Sequence, residues 1–195
     1  VVGGGDTGAD CVATCIRQGA KSVAQFEIVA APPPKRAPGN PWPLWPKVLK
    51  PNYAREEARA LYGRDICRYE TTVQAVHTQN GRVTGVTAVQ VDWSGGAPKP
   101  IPGTEQYVEA GLVLTAMGFI GTETALPDAL GLPLGPRGTI QASEAQAYGT
   151  GGYRTSLPGV FAAGDARRGP SLVVWAIREG RQAALACHAY LSARP

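Results

Sequence analysis

The chain opens Val1-Val2-Gly3-Gly4-Gly5-Asp6-Thr7-Gly8. Gly3, Gly5 and Gly8 stand in a G-x-G-x-x-G pattern. They follow two β-branched residues and precede Ala9-Asp10-Cys11-Val12-Ala13-Thr14-Cys15-Ile16-Arg17, where Val12, Cys15 and Ile16 suit one helical face. That order predicts a strand, a tight turn and a helix. Gly3 permits the turn, Gly5 lets the backbone approach a pyrophosphate, and Gly8 lets the helix pack close to the strand. The helix start offers unpaired N–H groups and a positive dipole end to the diphosphate. Taken alone, the motif reads equally as a Gly-rich turn. The residues after it favour a dinucleotide site: 21–29 is strand-like, and its Glu27 follows Gly8 by 19 positions. That is the spacing of a carboxylate accepting hydrogen bonds from an adenosine ribose; the alternative is a solvated residue on an edge strand. A carboxylate there suits the free 2′-hydroxyl of NADH and repels the 2′-phosphate of NADPH. Lys35 and Arg36 would offset the repulsion if their loop folded back; otherwise they are a solvated basic pair. NADH is favoured and NADPH stays open.

Val1 and Val2 read as the end of a buried strand whose earlier part lies outside this sequence, so a longer parent chain is expected. The 195 residues are 44% hydrophobic, with 25 Gly and 17 Pro. They show neither the period of collagen nor the monotony of a disordered tract. The longest apolar stretch, around 111–121, is far shorter than the ~18 residues of a membrane span, so no membrane partner is expected. The net charge is +4, but the basic residues are scattered. The only tight pairs are Lys35-Arg36 and Arg167-Arg168, without interleaved stacking aromatics, and no nucleic-acid partner is expected. The four cysteines, Cys11, Cys15, Cys67 and Cys187, form no CxxC, and there are only two histidines. No metal ligand set is read. Free thiols and the lack of a signal segment fit the cytoplasm.

Residues 31–51 hold Pro32-Pro33-Pro34 and Asn40-Pro41-Trp42-Pro43-Leu44-Trp45-Pro46, which exclude a regular helix or central strand. Two tryptophans suggest a loop packed on the domain, or a docking surface for a partner subunit. Residues 53–62 read as a short charged helix. Asn80-Gly81, between the strand-like runs 73–77 and 83–89, predicts a hairpin, with His77 a structural strand residue. The apolar run from Leu112 suggests another buried parallel strand. Together these predict an α/β arrangement.

Towards the carboxyl end, Pro158-Gly159-Val160-Phe161-Ala162-Ala163-Gly164-Asp165 reads as a short buried strand stopping at Gly-Asp. After Ala166-Arg167-Arg168-Gly169-Pro170-Ser171 comes the apolar helix Leu172-Val173-Val174-Trp175-Ala176-Ile177. Asp165, at a strand's carboxyl end, is placed to accept from a ribityl hydroxyl or, more plainly, to cap a helix. The helix start near Ser171 would favour negative charge on a reduced flavin.

Read in order, Gly3-Gly-Gly-Asp-Thr-Gly8, Gln25-Phe-Glu-Ile28, Asn40-Pro-Trp-Pro43, Ala116-Met-Gly118, Gly159-Val-Phe-Ala-Ala-Gly-Asp165, Arg167-Arg-Gly169 and Ser171-Leu-Val-Val-Trp-Ala-Ile177 carry a likeness. The series resembles the small (beta) subunit of glutamate synthase, or the equivalent part of the fused enzyme. The resemblance implies a glutathione-reductase-like flavoprotein, with a Rossmann-like nicotinamide domain inserted in an FAD domain of which only the carboxyl-terminal part is present. Residues 1–117 would be the NAD(P)H-binding domain and 118–195 the tail of the FAD domain. The implied activity is hydride transfer from NADH or NADPH to FAD, with electrons passing through iron–sulfur clusters outside this sequence. The implied partner is the large subunit or fused large domain that forms glutamate.

By position, Gly3, Gly5, Asp6, Thr7, Gly8 and Glu27 would hold the nicotinamide dinucleotide. Met117 and Gly118 would lie at the domain crossover, and Gly164, Asp165, Ser171, Leu172, Val173 and Val174 would contact FAD. Glu27-Ile28 with the Pro-rich loop resembles the NADH-using branch. Hydride transfer needs stacking and distance control more than an acid or base, so no catalytic side chain is assigned. Two other readings remain: another NAD(P)H-dependent flavoprotein reductase of the same fold, and a non-catalytic dinucleotide-binding fragment. The isolated 195 residues are expected to be inactive.

Overall fold

Helix α1 (Asp6–Arg17) begins directly after Gly5 and buries Gly8, Ala9, Val12 and Ala13. It packs on α2 (Tyr53–Tyr62), which buries Ala54, Arg55 and Ala58, and the shared core is completed by Ile66. Alanines at the crossing let the helices approach closely. Local chemistry marks both ends of α2. The Asn52 side chain accepts from the Arg55 N–H, and Gly63 closes the helix at φ +69°. The computed structural model describes residues 1–44, 46–143 and 152–193. The chain divides into two units, Val1–Met117 and Gly118–Pro195.

In the first unit a narrow parallel ladder runs beside α1. Strand β1 (Gln25–Phe26) pairs in parallel with β2 (Cys67–Arg68). Val2 forms single parallel bridges to Phe26 on one side and Thr115 on the other. The bonds alternate as a parallel ladder requires: Gly3 N–H to Phe26 O at 2.8 Å, Phe26 N–H to Val1 O at 2.9 Å, and Ala116 N–H to Val2 O at 2.7 Å. The strand expected over 21–29 is thus two residues long. The buried strand expected from Leu112 reduces to one bridge at Thr115. Leu112 and Met117 are 64% and 71% exposed, because only the Leu114–Ala116 backbone reaches the ladder.

An antiparallel sheet follows. β3 (Thr71–Gln79) and β4 (Arg82–Asp92) form the expected hairpin, paired from Thr71↔Gln90 to Gln79↔Arg82 with register shifts between Val73 and Ala75 and between His77 and Thr78. Asn80 and Gly81 both have positive φ, 51° and 74°, as a tight two-residue hairpin turn demands. β5 (Lys99–Pro100) and β6 (Gln106–Glu109) both pair with β4. Val86 and Ala88 of β4 meet Val2 and Phe26 in a second core. His77 bonds Thr87 Oγ1 through Nε2 at 2.7 Å and lies 5.5 Å from the Tyr107 ring, a structural role.

Among the described residues, no buried tryptophan holds the Pro-rich loop. Trp42 is 82% exposed, and Trp45 lies outside the described residues. Polar bonds hold the loop instead. The Arg36 guanidinium donates to the carbonyls of Asn40 (3.0 Å) and Leu44 (2.9 Å), and the buried Asn40 side chain accepts from the Lys47 N–H at 2.7 Å.

The second unit contains α3 (Ala125–Leu130), α4 (Asp165–Arg168) and the long α5 (Val173–Ser192). Leu132, Ile140 and Ala162 form its core. The buried strand expected over 158–165 is a single antiparallel bridge, Arg154↔Phe161. Leu172, expected to begin the helix, stands just before it, and Leu172, Val173 and Val174 are 61–70% exposed. Among the described residues, no helix is long and apolar enough to cross a membrane.

Candidate nucleotide sites

The glycine turn in the first unit can be tested by asking what a Cβ would meet. At Gly3 (φ +121°) it would collide with the Ala116 carbonyl, and at Gly8 with the Gly3 carbonyl. These two positions are closed by the protein's own packing, which accounts for Gly there. Gly5 differs: nothing lies within 4 Å of a Cβ built on it. Its backbone faces open space, so crowding from inside the fold does not explain a glycine there. The open space leaves room for a close external approach to the backbone.

The helix start beyond it is also open. The first intrahelical bond runs from the Ala9 N–H to Gly5 O at 2.9 Å, and no side chain caps the end. The N–H groups of Asp6, Thr7 and Gly8 therefore lack intrahelical acceptors, and Asp6 and Thr7 are exposed. A diphosphate fits such an end, which supplies donors and a favourable dipole without a cationic side chain.

Glu27 is half-buried and its carboxylate lies against Gly4, where an added Cβ would strike it. One oxygen accepts from the Val29 N–H at 3.2 Å, and the other carries no hydrogen bond among the described residues. Two residues missed by sequence reasoning hold this geometry. Gly4 makes room for the carboxylate. Gln25, 1% exposed, donates from Nε2 to the Gly3 carbonyl at 3.0 Å and so ties the turn to β1. A polar residue between Ala24 and Phe26 in a strand-like run was the available signal.

Two cavities open in this unit. The larger, about 650 Å³, is lined by Val1, Ala24, Val113 and neighbours at the amino ends of the parallel segments. The smaller, about 190 Å³, lies at their carboxyl ends and is lined by Gly4, Glu27, Val29, Pro32, Leu49 and Lys50, among others. Open α/β sheets bind ligands at the carboxyl ends of strands, which makes the smaller one the candidate nucleotide site. Two cations, Lys50 and Arg55, line this cavity together with Glu27. Lys35 and Arg36 do not line this cavity, and Arg36 is engaged within its own loop.

Arg55 fixes the far wall of that cavity. It is 5% exposed, donates through Nε to Asp65 Oδ1 at 3.1 Å and through Nη1 to the Tyr69 hydroxyl at 2.6 Å. Burial would push the Asp65 carboxyl up. Hydrogen bonds from Arg55, the Cys67 N–H and Arg59 outweigh it and hold the group well below the usual carboxylate range.

In the second unit Gly164 adopts φ +63°, ψ −144°, a conformation that favours glycine. Asp165 follows as the first residue of α4, exposed, its carboxylate without a hydrogen bond or ion pair among the described residues. Plain helix capping does not occupy it. The start of α5 is open as well. Leu172 stands before it in extended conformation with no side-chain cap, and the first bonds accepted by Leu172 O come from Trp175 and Ala176. The N–H groups of Val173 and Val174 are left without intrahelical acceptors.

Sequence reasoning missed Glu179, the carboxylate beneath this turn. It is 2% exposed and accepts from the Gly164 N–H at 2.9 Å. It also accepts from Arg167 at 3.2 and 2.6 Å and from Arg168 Nε at 3.0 Å. Its being the sole acid of α5, just past the apolar run 172–177 and after an Arg-Arg pair, was its only trace. Gly3, Gly5, Asp6, Thr7, Gly8 and Glu27 thus gather at one site. Gly164 and Asp165 lie at the start of α4, and Ser171, Leu172, Val173 and Val174 at the start of α5. Met117 ends the first unit, exposed, and Gly118 opens the second at φ +84°.

Residues 1–180 match the family described as pyridine nucleotide-disulphide oxidoreductase. The chain belongs to that family of oxidoreductases. Its fold agrees: T. acidophilum thioredoxin reductase superposes with a TM-score of 0.65 at 24% identity, over 98% of this chain and 52% of that one. Within the family the chain is similar to two named proteins. It is 44% identical to the Bacillus subtilis protein named glutamate synthase [NADPH] small chain, over 98% of this chain and 38% of that protein. It is 40% identical to Schizosaccharomyces pombe glutamate synthase [NADH], over 94% of this chain and 9% of that protein. The chain therefore spans well under half the length of either relative.

Proposed function

We propose that this chain is part of the electron-input module of a glutamate synthase, with residues 1–117 binding a nicotinamide dinucleotide and residues 118–195 contributing to an FAD site. The observation that carries the reading is the pairing of an uncapped α1 start, beside a Gly5 open to close approach, with a Glu27 carboxylate on the neighbouring strand end. Hydride passes from the reduced nicotinamide to FAD when both are bound. The N–H groups at 6–8 bind the diphosphate, and Glu27 accepts from the adenosine ribose. Asp165 accepts from a ribityl hydroxyl. The open start of α5 offers N–H donors where the flavin gains negative charge.

The glutamate-forming large subunit or fused domain is the proposed electron destination, reached through iron–sulfur clusters. The cytoplasm is the proposed compartment. NADH is the proposed donor, supported by Glu27; the similar proteins carry both NADH and NADPH in their names and do not choose between them. The test is anaerobic mixing of NADH with the intact FAD-loaded protein. The expected result is bleaching of the flavin band, abolished by substitution at the α1 start. A protein that binds NADH but leaves its flavin oxidised would reject the reading.

A further inference from the structure

The second unit contains a device that the site residues themselves do not explain. Glu179 lies near the second turn of α5, in a helix whose opening residues are exposed and apolar. A buried carboxylate is costly unless donors surround it. Here three residues from the preceding turn converge on it. The Gly164 N–H occupies one oxygen at 2.9 Å, shared with Arg167 Nε at 3.2 Å. The other oxygen takes Arg167 Nη2 at 2.6 Å and Arg168 Nε at 3.0 Å. Two consequences follow. The Gly164 N–H is spent inside the protein, so it is not a donor to any ligand. The Arg167 guanidinium is likewise turned onto Glu179 through two of its nitrogens, and Arg168 reaches the same carboxylate through Nε with its guanidinium 4.1 Å from the Trp175 ring centre.

What remains outward is Asp165, between a clamped Gly164 and a clamped Arg167. Its direction is set by the turn on either side, and both sides end on one carboxylate. We infer that Glu179 is a positioning residue for FAD: it clamps the 164–168 turn onto α5 and thereby aims the Asp165 carboxylate at the flavin's ribityl chain. The inference rests on the FAD reading above. Its physical basis is that a charged acceptor with two oxygens is needed for four hydrogen bonds. Glutamine keeps the shape, but it leaves one acceptor oxygen and turns an NH₂ group towards the guanidinium donors.

The test uses the intact FAD-loaded protein. Glu179→Gln is expected to weaken FAD binding by about tenfold or more, the loss of a charge-assisted bond. It should also alter the visible circular dichroism of the bound flavin and speed hydrogen exchange at the Gly164 amide. Affinity for ADP-ribose, which reports the first unit, should stay within about twofold. Glu179→Asp, which keeps the charge on a shorter arm, is expected to fall between wild type and Glu179→Gln; it decides the matter should Glu179→Gln not fold. FAD affinity within about twofold of wild type in these variants, with unchanged flavin dichroism, overturns the inference. Asp165→Ala separates the two claims. Loss of FAD there with retention in Glu179→Gln rejects the clamp alone, whereas retention in Asp165→Ala rejects the FAD reading itself.

Discussion

Gly3 and Gly5 share a motif but answer to different physics. A methyl at Gly3 meets a carbonyl and forces a φ of +121° on an L-residue, whereas one at Gly5 meets nothing. Gly3→Ala should therefore destabilise the protein by roughly 1–3 kcal/mol in thermal or urea unfolding, the usual cost of a strained backbone position. Gly5→Ala should unfold within about 1 kcal/mol of wild type yet bind NADH at least several-fold more weakly. Equal NADH affinity in Gly5→Ala would remove the diphosphate from this turn. Glu27→Ala should weaken NADH more than NADPH, since only the free 2′-hydroxyl donates to it. An equal loss for both would reject the ribose assignment. Lys50→Ala should do the opposite, lowering NADPH affinity more than NADH affinity, because Lys50 lines the same cavity as Glu27 while the other cation lining it, Arg55, is held by Asp65 and Tyr69. Both ratios are read from fluorescence titrations.

Helices α1 and α2 and strands β1 and β2 hold the first site, and their stability depends on acid. Asp65 sits at the end of α2 with its folded pKa depressed by Arg55, the Cys67 N–H and Arg59 against the effect of burial. A depressed carboxyl contributes stability that is complete above its unfolded pKa, about 3.9, and is lost as pH falls below it. The urea midpoint should therefore drop as pH falls from about 5 towards 3, and Asp65→Asn should flatten that slope while lowering the midpoint at neutral pH. An unchanged slope would take the Arg55–Asp65 pair out of the stability of α2. The helix was legible beforehand because its signals are local: Asn52 before it, Gly63 after it, charged residues on its exposed side. The β3–β4 hairpin was legible for the same reason, through Asn80-Gly81. The apolar run at 112–118 was over-read as a buried strand. An apolar run marks a surface to be covered but does not say which neighbour covers it, and Leu112, Val173 and Val174 lie exposed in this chain.

For the whole chain, the two units assign the two nucleotides to separate stretches. Under that proposal ADP-ribose, which lacks the nicotinamide, should slow hydrogen exchange at 5–8 and near 27. FAD in the intact protein should protect 164–174. ADP-ribose protection centred on 164–174 would reverse the assignment. Residues near in sequence announced the glycine turn, α2, the hairpin and the Gly-Asp turn, because turns, caps and β-branched runs are set by neighbours a few positions apart. Folding brought together the rest: Glu27 against Gly4, Gln25 beneath Gly3, Lys50 rather than Arg36 in the cavity that Glu27 lines, and Glu179 under the turn that carries Asp165. Those contacts join residues from 11 to more than 20 positions apart. Their energies depend on burial and on which donor reaches which oxygen, and a linear spacing contains neither.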